Sequence, residues 1–266
     1  MKEQILSMLA PGHPWGELLQ FYPTLDSTNT LAKALGAQGA PHGTVIIAGT
    51  QTGGRGRMGR SFHSPAGTGR YFSAILRPDC DAAELMHLTC AMAVAVADAV
   101  EHCCGFRPGI KWINDLVWGK QKVAGILTEL SLVPGSTRVA FAVVGIGVNC
   151  NQTAADFPPE LSSIAASLSM ATGKSVSPAA LAAAIMEALS SMAPSLLRDK
   201  AAIMARYRSG CITLGQEVSI HRADTVTHAK AVGIDDDGAL LVSHPDGHIE
   251  AVNSGEASVR GMYGYV

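Results

Sequence analysis

Gly54-Arg55-Gly56-Arg57-Met58-Gly59, followed by Arg60-Ser61-Phe62-His63-Ser64-Pro65-Ala66-Gly67, is the stretch on which the fold class turns. It has the form G-x-G-x-x-G and comes after a β-rich run over residues 43–49. A doubly wound dinucleotide-binding sheet uses that pattern only where the third glycine enters a helix, whose N-terminus then faces the pyrophosphate. The residues after Gly59 include Pro65 and Gly67 and do not open a helix. A Rossmann site is therefore excluded. What remains is a flexible loop carrying Arg55, Arg57 and Arg60, with Arg70 close behind. Glycines allow close approach of the backbone to a ligand and supply amide donors. Guanidinium groups grip carboxylates and phosphates through paired hydrogen bonds. Taken alone, the loop fits three readings: a solvated surface loop, an anion site or an RNA contact.

Around this loop the chain reads as mixed α and β. Asp26-Ser27-Thr28-Asn29 opens a short helix that ends at Gly36. Residues 43–49 and 71–77 read as strands, the second stopped by Pro78. Asp81-x-x-Glu84 reads as the capping box of a long helix with Leu85, Leu88, Met92, Val96 and Ala99 on one face. Ile110-Lys111-Trp112-Ile113 is a short strand, and residues 116–118 and 123–127 flank Gly119-Lys120-Gln121 as a hairpin. Residues 138–149 are the most strand-like run, while the alanine-rich segments 158–170 and 179–202 are expected to be helical. From Ile212 onward, short β-prone pieces alternate with turn signals such as Asp236-Asp237-Gly238 and Pro245-Asp246-Gly247. The expected division is a large domain, 1–210, and a small β domain, 211–266.

Composition narrows the class. The chain has 266 residues, 20 basic and 22 acidic side chains and a net charge of −2, with 47% apolar and 16% charged residues. That is enough apolar material for a core and argues against disorder. It also excludes a basic footprint for nucleic acid over the whole chain. The apolar runs 85–97 and 139–148 fall short of the ~18 residues a membrane span needs. The start, Met1-Lys2-Glu3-Gln4, does not resemble a secretion signal. A soluble cytoplasmic protein is expected. The six cysteines form no Cys-x-x-Cys pair and the nine histidines show no ligand spacing, so reduced thiols and no metal site are expected.

Two lysines stand out. Lys111-Trp112-Ile113-Asn114-Asp115 places a lysine at a strand start and an Asn-Asp pair at its end, and Lys122-Val123-Ala124-Gly125 places another just past the hairpin. Two lysines, several arginines and a carboxylate could surround an acid being joined to a phosphate. An ordinary turn and hairpin flank fit the same residues. Gly145-Ile146-Gly147-Val148-Asn149 puts glycines inside a strand, which marks a bulge or a close backbone approach. Asn149 fits either a base edge or a strand cap.

Together with Gln51-Thr52-Gly53 and Gly255-Glu256-Ala257-Ser258-Val259-Arg260, these pieces occur in an order that resembles the biotin–protein ligases. The resemblance spans about 230 residues. It implies an α+β fold: a central mixed sheet with helices on one side, followed by a small SH3-like barrel. It implies ATP and Mg²⁺, formation of biotinyl-5′-AMP, and transfer of biotin to a lysine of a biotin carboxyl carrier protein domain. Carried over by position, Ser27, Thr28 and Asn29 would meet the biotin ureido group with Gln51 nearby. Arg55, Gly56 and Arg57 would form the biotin and adenylate loop, and Lys122 would meet the biotin carboxylate. Lys111 and Asp115 would lie by the phosphates. Asn149 would face the adenine, and Arg60, Phe62 and Asn114 would complete the nucleotide side. Lys122, Arg57, Lys111 and Asp115 are the candidate catalytic residues. Ile113 stands where the family usually has proline, and Phe62 where a tryptophan commonly stacks on adenine.

Only 25 residues precede Asp26, too few for the helix-turn-helix domain that some members carry, so no DNA partner is expected. A monomer or homodimer is expected. The nearest alternative is a lipoate or octanoate ligase or transferase on a related scaffold. A more distant one is a non-catalytic RNA- or protein-binding module.

Overall fold

The structure is a computed structural model, described here over residues 1–222, 225–253 and, as backbone, 258–261. Seven strands form the central sheet: β1 (Leu19–Leu25), β2 (Val45–Gln51), β3 (Gly69–Leu76), β4 (Gly109–Lys111), β5 (Asp115–Trp118), β6 (Gln121–Leu132) and β7 (Val139–Asn149). Their order is β1-β2-β3-β7-β6-β5-β4. Only β1 and β2 run parallel; every other neighbouring pair is antiparallel. The sheet is therefore mixed, as expected.

Side-chain alternation decides what each face holds. Val45 and Ile47 of β2 point into the main core, which also contains Ile5 of α1 (Lys2–Leu6), α3 (Leu88–Cys104) and α5 (Pro178–Met192). Between them, Ile46 points to the opposite face and packs with Ile75, Phe141, Val143 and Ala32 of α2 (Thr28–Ala37). The large helices thus lie on one face, and α2 covers one end of the other. Gly36 lets α2 approach β7, since a Cβ there would stand 2.6 Å from the Phe141 ring.

Three expected helices differ in detail. The capping box at Asp81 and Glu84 forms, but it caps a 3-10 turn (Ala82–Leu85) rather than α3 itself. Leu85, Leu88, Met92, Val96 and Ala99 are all buried, yet α3 is buried on nearly every side and not along one stripe. Joined, Ala82–Cys104 is long and apolar enough to cross a membrane; in the fold, 72% of its most apolar window is buried by protein. Segment 158–170 is mostly turn, with only α4 (Leu168–Thr172) at its end, capped by Ser167. Its backbone is committed elsewhere: Lys122 N–H donates to Ile164 O (2.8 Å) and Ala166 N–H to Lys122 O (2.9 Å). This pairing with the start of β6 overrides alanine's helix propensity. The 179–202 helix breaks at Pro194 into α5 and α6 (Lys200–Gly210), because proline lacks the N–H a continuous helix requires.

The second sheet is wholly antiparallel, in the order β11-β10-β9-β8-β12. Its strands are β8 (Glu217–Arg222), β9 (Thr225–Ile234), β10 (Leu240–Ser243), β11 (Ile249–Val252) and β12 (Ser258–Gly261). Gly255, Glu256 and Ala257 lie outside the described residues. The sheet docks beside β4: Ile212 N–H donates to Ile110 O, Trp112 N–H to Thr213 Oγ1 and the Trp112 indole to Gly238 O, at 2.9 Å each.

Candidate active site

A cleft opens on the α2 face of the central sheet. Its floor is rich in glycine. Gly125 pairs with Gly147, and Leu127 with Gly145, on adjacent strands β6 and β7. A Cβ on Gly147 would stand 2.6 Å from the Phe62 ring, and one on Gly125 2.8 Å from Lys122 Nζ. A Cβ on Gly145 would overlap the Asn29 amide. These glycines permit close approach, which is the use the strand-interior glycines suggested.

The α2 end of the cleft is lined by neutral hydroxyl and amide groups, with Arg55 beside them paired to Glu129 at 3.6 Å. Ser27 caps α2, accepting from Thr30 N–H at 3.4 Å. Gln51, at the end of β2, accepts from Thr28 N–H (2.8 Å) and Thr28 Oγ1 (3.0 Å), and donates through Nε2 to Ser64 Oγ (3.3 Å). Asn29 donates from Nδ2 to Glu129 Oε2 (3.0 Å) and Leu127 O (3.3 Å). Its Oδ1 accepts from Ser73 Oγ at 2.6 Å, and that hydroxyl also lies 2.8 Å from Thr28 Oγ1. Ser73 is fully buried. Ser73→Ala removes the donor and leaves Asn29 Oδ1 unsatisfied, a change that costs about 1–3 kcal/mol. The expected drop in stability is read by denaturant unfolding; a loss below about 0.5 kcal/mol contradicts the role.

The other end is charged. Arg57 Nη1 donates to Asn114 Oδ1 (3.0 Å), and Asn114 Nδ2 donates to Asp115 Oδ1 (3.0 Å). Asp115 Oδ1 pairs with Lys122 Nζ at 2.6 Å, and that ammonium lies 5.6 Å from the Phe62 ring centroid. Two cations and a carboxylate thus stand in one continuous polar line. Burial pulls the Arg57 guanidinium below its ordinary value, while Asp115 opposes the shift. The arginine loop lies over this end as a small hairpin: Phe62 N–H donates to Gly54 O, and Arg55 bridges Ser61. Its tip, Arg57–Gly59, is a single 3-10 turn with Met58 at φ 55° and Gly59 at φ 73°. No helix follows Gly59, as the rejection of a dinucleotide site required.

Of the residues expected from the sequence, Ser27, Thr28, Asn29, Gln51, Arg55, Gly56, Arg57, Phe62, Asn114 and Lys122 line this one cleft. Asp115 stands directly behind Lys122. Arg60, Lys111 and Asn149 do not line it. Arg60 is exposed, and Lys111 lies on β4 in register with Asp115. Asn149 is buried, and its Nδ2 donates to Ala166 O (3.0 Å) and Lys122 O (3.4 Å), so here it braces the Lys122 backbone. Ser73 and Glu129 were missed from the sequence. Each is a single polar residue within a strand and belongs to no motif. Among the described residues no three His, Cys, Asp or Glu side chains cluster as metal ligands.

The sequence and fold have known counterparts. Residues 21–149 match the Biotin/lipoate A/B protein ligase family, and residues 213–260 match the biotin protein ligase C terminal domain. A biotin--[acetyl-CoA-carboxylase] ligase of Paracoccus denitrificans is 34% identical over 238 residues, 84% of this chain and 92% of that protein. The bifunctional ligase/repressor BirA of Bacillus subtilis is 36% identical over 233 residues, 87% of this chain and 71% of that protein. The biotin protein ligase from Aquifex aeolicus, solved in complex with biotin and ATP, superposes with a TM-score of 0.76 at 29% identity, covering 91% of this chain and 98% of that one. By its sequence over most of its length and by its fold, this chain belongs to the biotin protein ligase family.

Proposed function

We propose that this chain is an ATP-dependent biotin–protein ligase whose cleft holds biotin lengthwise, with the ureido ring at the Thr28–Gln51 end and the acid at Lys122. The observation that carries the orientation is the polarity of the cleft. One end offers neutral amide and hydroxyl groups, with Arg55 beside them paired to Glu129, the other offers two cations, and a glycine-rich floor joins them. A ureido ring carries both N–H and C=O groups for the neutral end. The dithiolane ring of lipoate carries neither, which favours biotin over lipoate.

A carboxylate does not acylate an amine at neutral pH until its oxygen becomes a good leaving group. In the first step the biotin carboxylate attacks the α-phosphorus of ATP and pyrophosphate departs. In the second, a lysine amine of a carboxyl carrier domain attacks the acyl carbon of biotinyl-5′-AMP and expels AMP. Both steps develop negative charge on phosphate oxygens, so prepositioned cations supply most of the stabilisation. Lys122 holds the attacking carboxylate. Arg57 stands across the cleft for the phosphate, and Asn114 and Asp115 fix the two cations relative to each other. The donor set forms no protein cage for Mg²⁺. Asp115 is the carboxylate at hand, which fits an ion held mainly by ATP's own phosphates and water. Bound there, Mg²⁺ would neutralise phosphate charge.

Pyrophosphate exchange into ATP that depends on biotin tests the assignment. Exchange with biotin and little with lipoate supports it; exchange with lipoate alone, or with neither, contradicts it. The acyl-phosphate anhydride hydrolyses when wetted, so the arginine loop is expected to serve as a lid. Backbone amides of residues 53–67 should exchange hydrogen more slowly with biotin and ATP present; equal exchange in both states argues against a lid.

A further inference from the structure

Glu129 sits behind the neutral end of the cleft, on β6, with its side chain 19% exposed. It receives three groups. Asn29 Nδ2 donates to Oε2 at 3.0 Å, Lys33 Nζ to Oε1 at 2.9 Å, and an Arg55 terminal nitrogen lies 3.6 Å from Oε1. Asn29 and Arg55 both line the cleft, whereas Lys33 belongs to the outer surface of α2. An ionised carboxylate can only accept hydrogen bonds. Together with the Leu127 carbonyl, which accepts from the same Nδ2 at 3.3 Å, it holds the Asn29 NH₂ toward β6 and its Oδ1 toward Ser73, the side where Gly145 leaves room. Burial would raise the Glu129 carboxyl, but the hydrogen bonds from Lys33 and Asn29 and the Arg55 charge outweigh it and hold the group below the usual carboxylate range.

We propose that Glu129 is a positioning residue for biotin binding: it locks the Asn29 amide in one orientation and draws Arg55 of the loop against the rim. Glu129 touches no substrate in this arrangement and acts through Asn29 and Arg55. The inference rests on the reading that the neutral end receives the biotin ring. A glutamine at 129 carries both N–H and C=O, so it would weaken the hold on the Asn29 amide, leaving the Leu127 carbonyl as its acceptor on β6, and would release Arg55.

The test is calorimetric titration of the full chain with biotin, together with ATP steady-state constants, for the unaltered protein, Glu129→Gln and Lys33→Ala. Hydrogen bonds to charged groups set the scale, so Glu129→Gln should weaken biotin binding by about tenfold. Its KM for ATP should stay within about twofold, since the Arg57–Asn114–Asp115–Lys122 line is untouched. Lys33→Ala, which removes the surface ion pair and leaves the Asn29 bond, should bind biotin normally. Glu129→Asp, which keeps an acceptor-only carboxylate, should recover part of the loss. Unchanged biotin affinity in Glu129→Gln would overturn the proposal, as would equal losses in Glu129→Gln and Lys33→Ala. If the unaltered chain binds no biotin, the proposed function fails and this inference fails with it. Biotin binding by the unaltered chain with no effect of Glu129→Gln sinks the inference alone.

Discussion

Lys122→Ala should lower biotin-dependent pyrophosphate exchange by about 10²–10³-fold, the usual loss when one prepositioned charge is taken from a developing negative centre. The residue is held for that task from several directions. Its ammonium pairs with Asp115 at 2.6 Å, and its backbone is pinned by Ile164 O and Ala166 N–H. Gly125, three residues on, leaves the floor beneath the ammonium open. The substitution also removes the Asp115–Lys122 ion pair, although Asn114 still donates to that carboxylate. A loss of fold is separated from a loss of chemistry by measuring biotin binding and circular dichroism on the same sample. A folded Lys122→Ala protein with near-normal exchange would remove Lys122 from the mechanism.

Arg57→Gly should have a different signature. Arg57 reaches across the cleft from the loop and donates to Asn114, so it links the lid to the charged end. Without it, the adenylate loses a charge-assisted contact and the loop loses its anchor on that side. Contacts of this kind are worth about 1.5–3 kcal/mol, so the intermediate should leave at least about tenfold faster. Released biotinyl-5′-AMP would acylate exposed lysines of any bystander protein. The measurement is biotin incorporation into an added protein that is not a carrier, compared with incorporation by the unaltered enzyme. If the variant labels the bystander no more than the parent does, Arg57 does not retain the adenylate.

The parts of this account that were legible in the sequence are those where several residues act through backbone geometry. Ser27-Thr28-Asn29 announces a capped helix, and the structure places all three at the cleft. The failure of the arginine loop to enter a helix excluded one fold class, and the 3-10 turn at Arg57–Gly59 shows why: Met58 and Gly59 both take positive φ. Gly145 and Gly147 proclaimed a close approach, and they receive Asn29 and Phe62. What escaped was whatever depends on tertiary partners. Segment 158–170 has helix-forming composition, but its backbone pairs with Lys122. Asn149 carries a base-reading amide whose donors go to Ala166 and Lys122 carbonyls. Ser73 and Glu129 belong to no motif, and only the fold brings them to Asn29. Arg60 and Lys111 carry suitable charges but stand off the cleft lining.

In the proposed function, chain-distant segments enclose an acid and a nucleotide end to end along one glycine-rich cleft. A crystal structure of this chain with biotin and a non-hydrolysable ATP analogue tests it most directly. The biotin ring is expected among Thr28, Asn29 and Gln51, its carboxylate on Lys122, and the nucleotide phosphates beside Arg57. Biotin lying with its ring at Lys122, or bound away from this cleft, would contradict it.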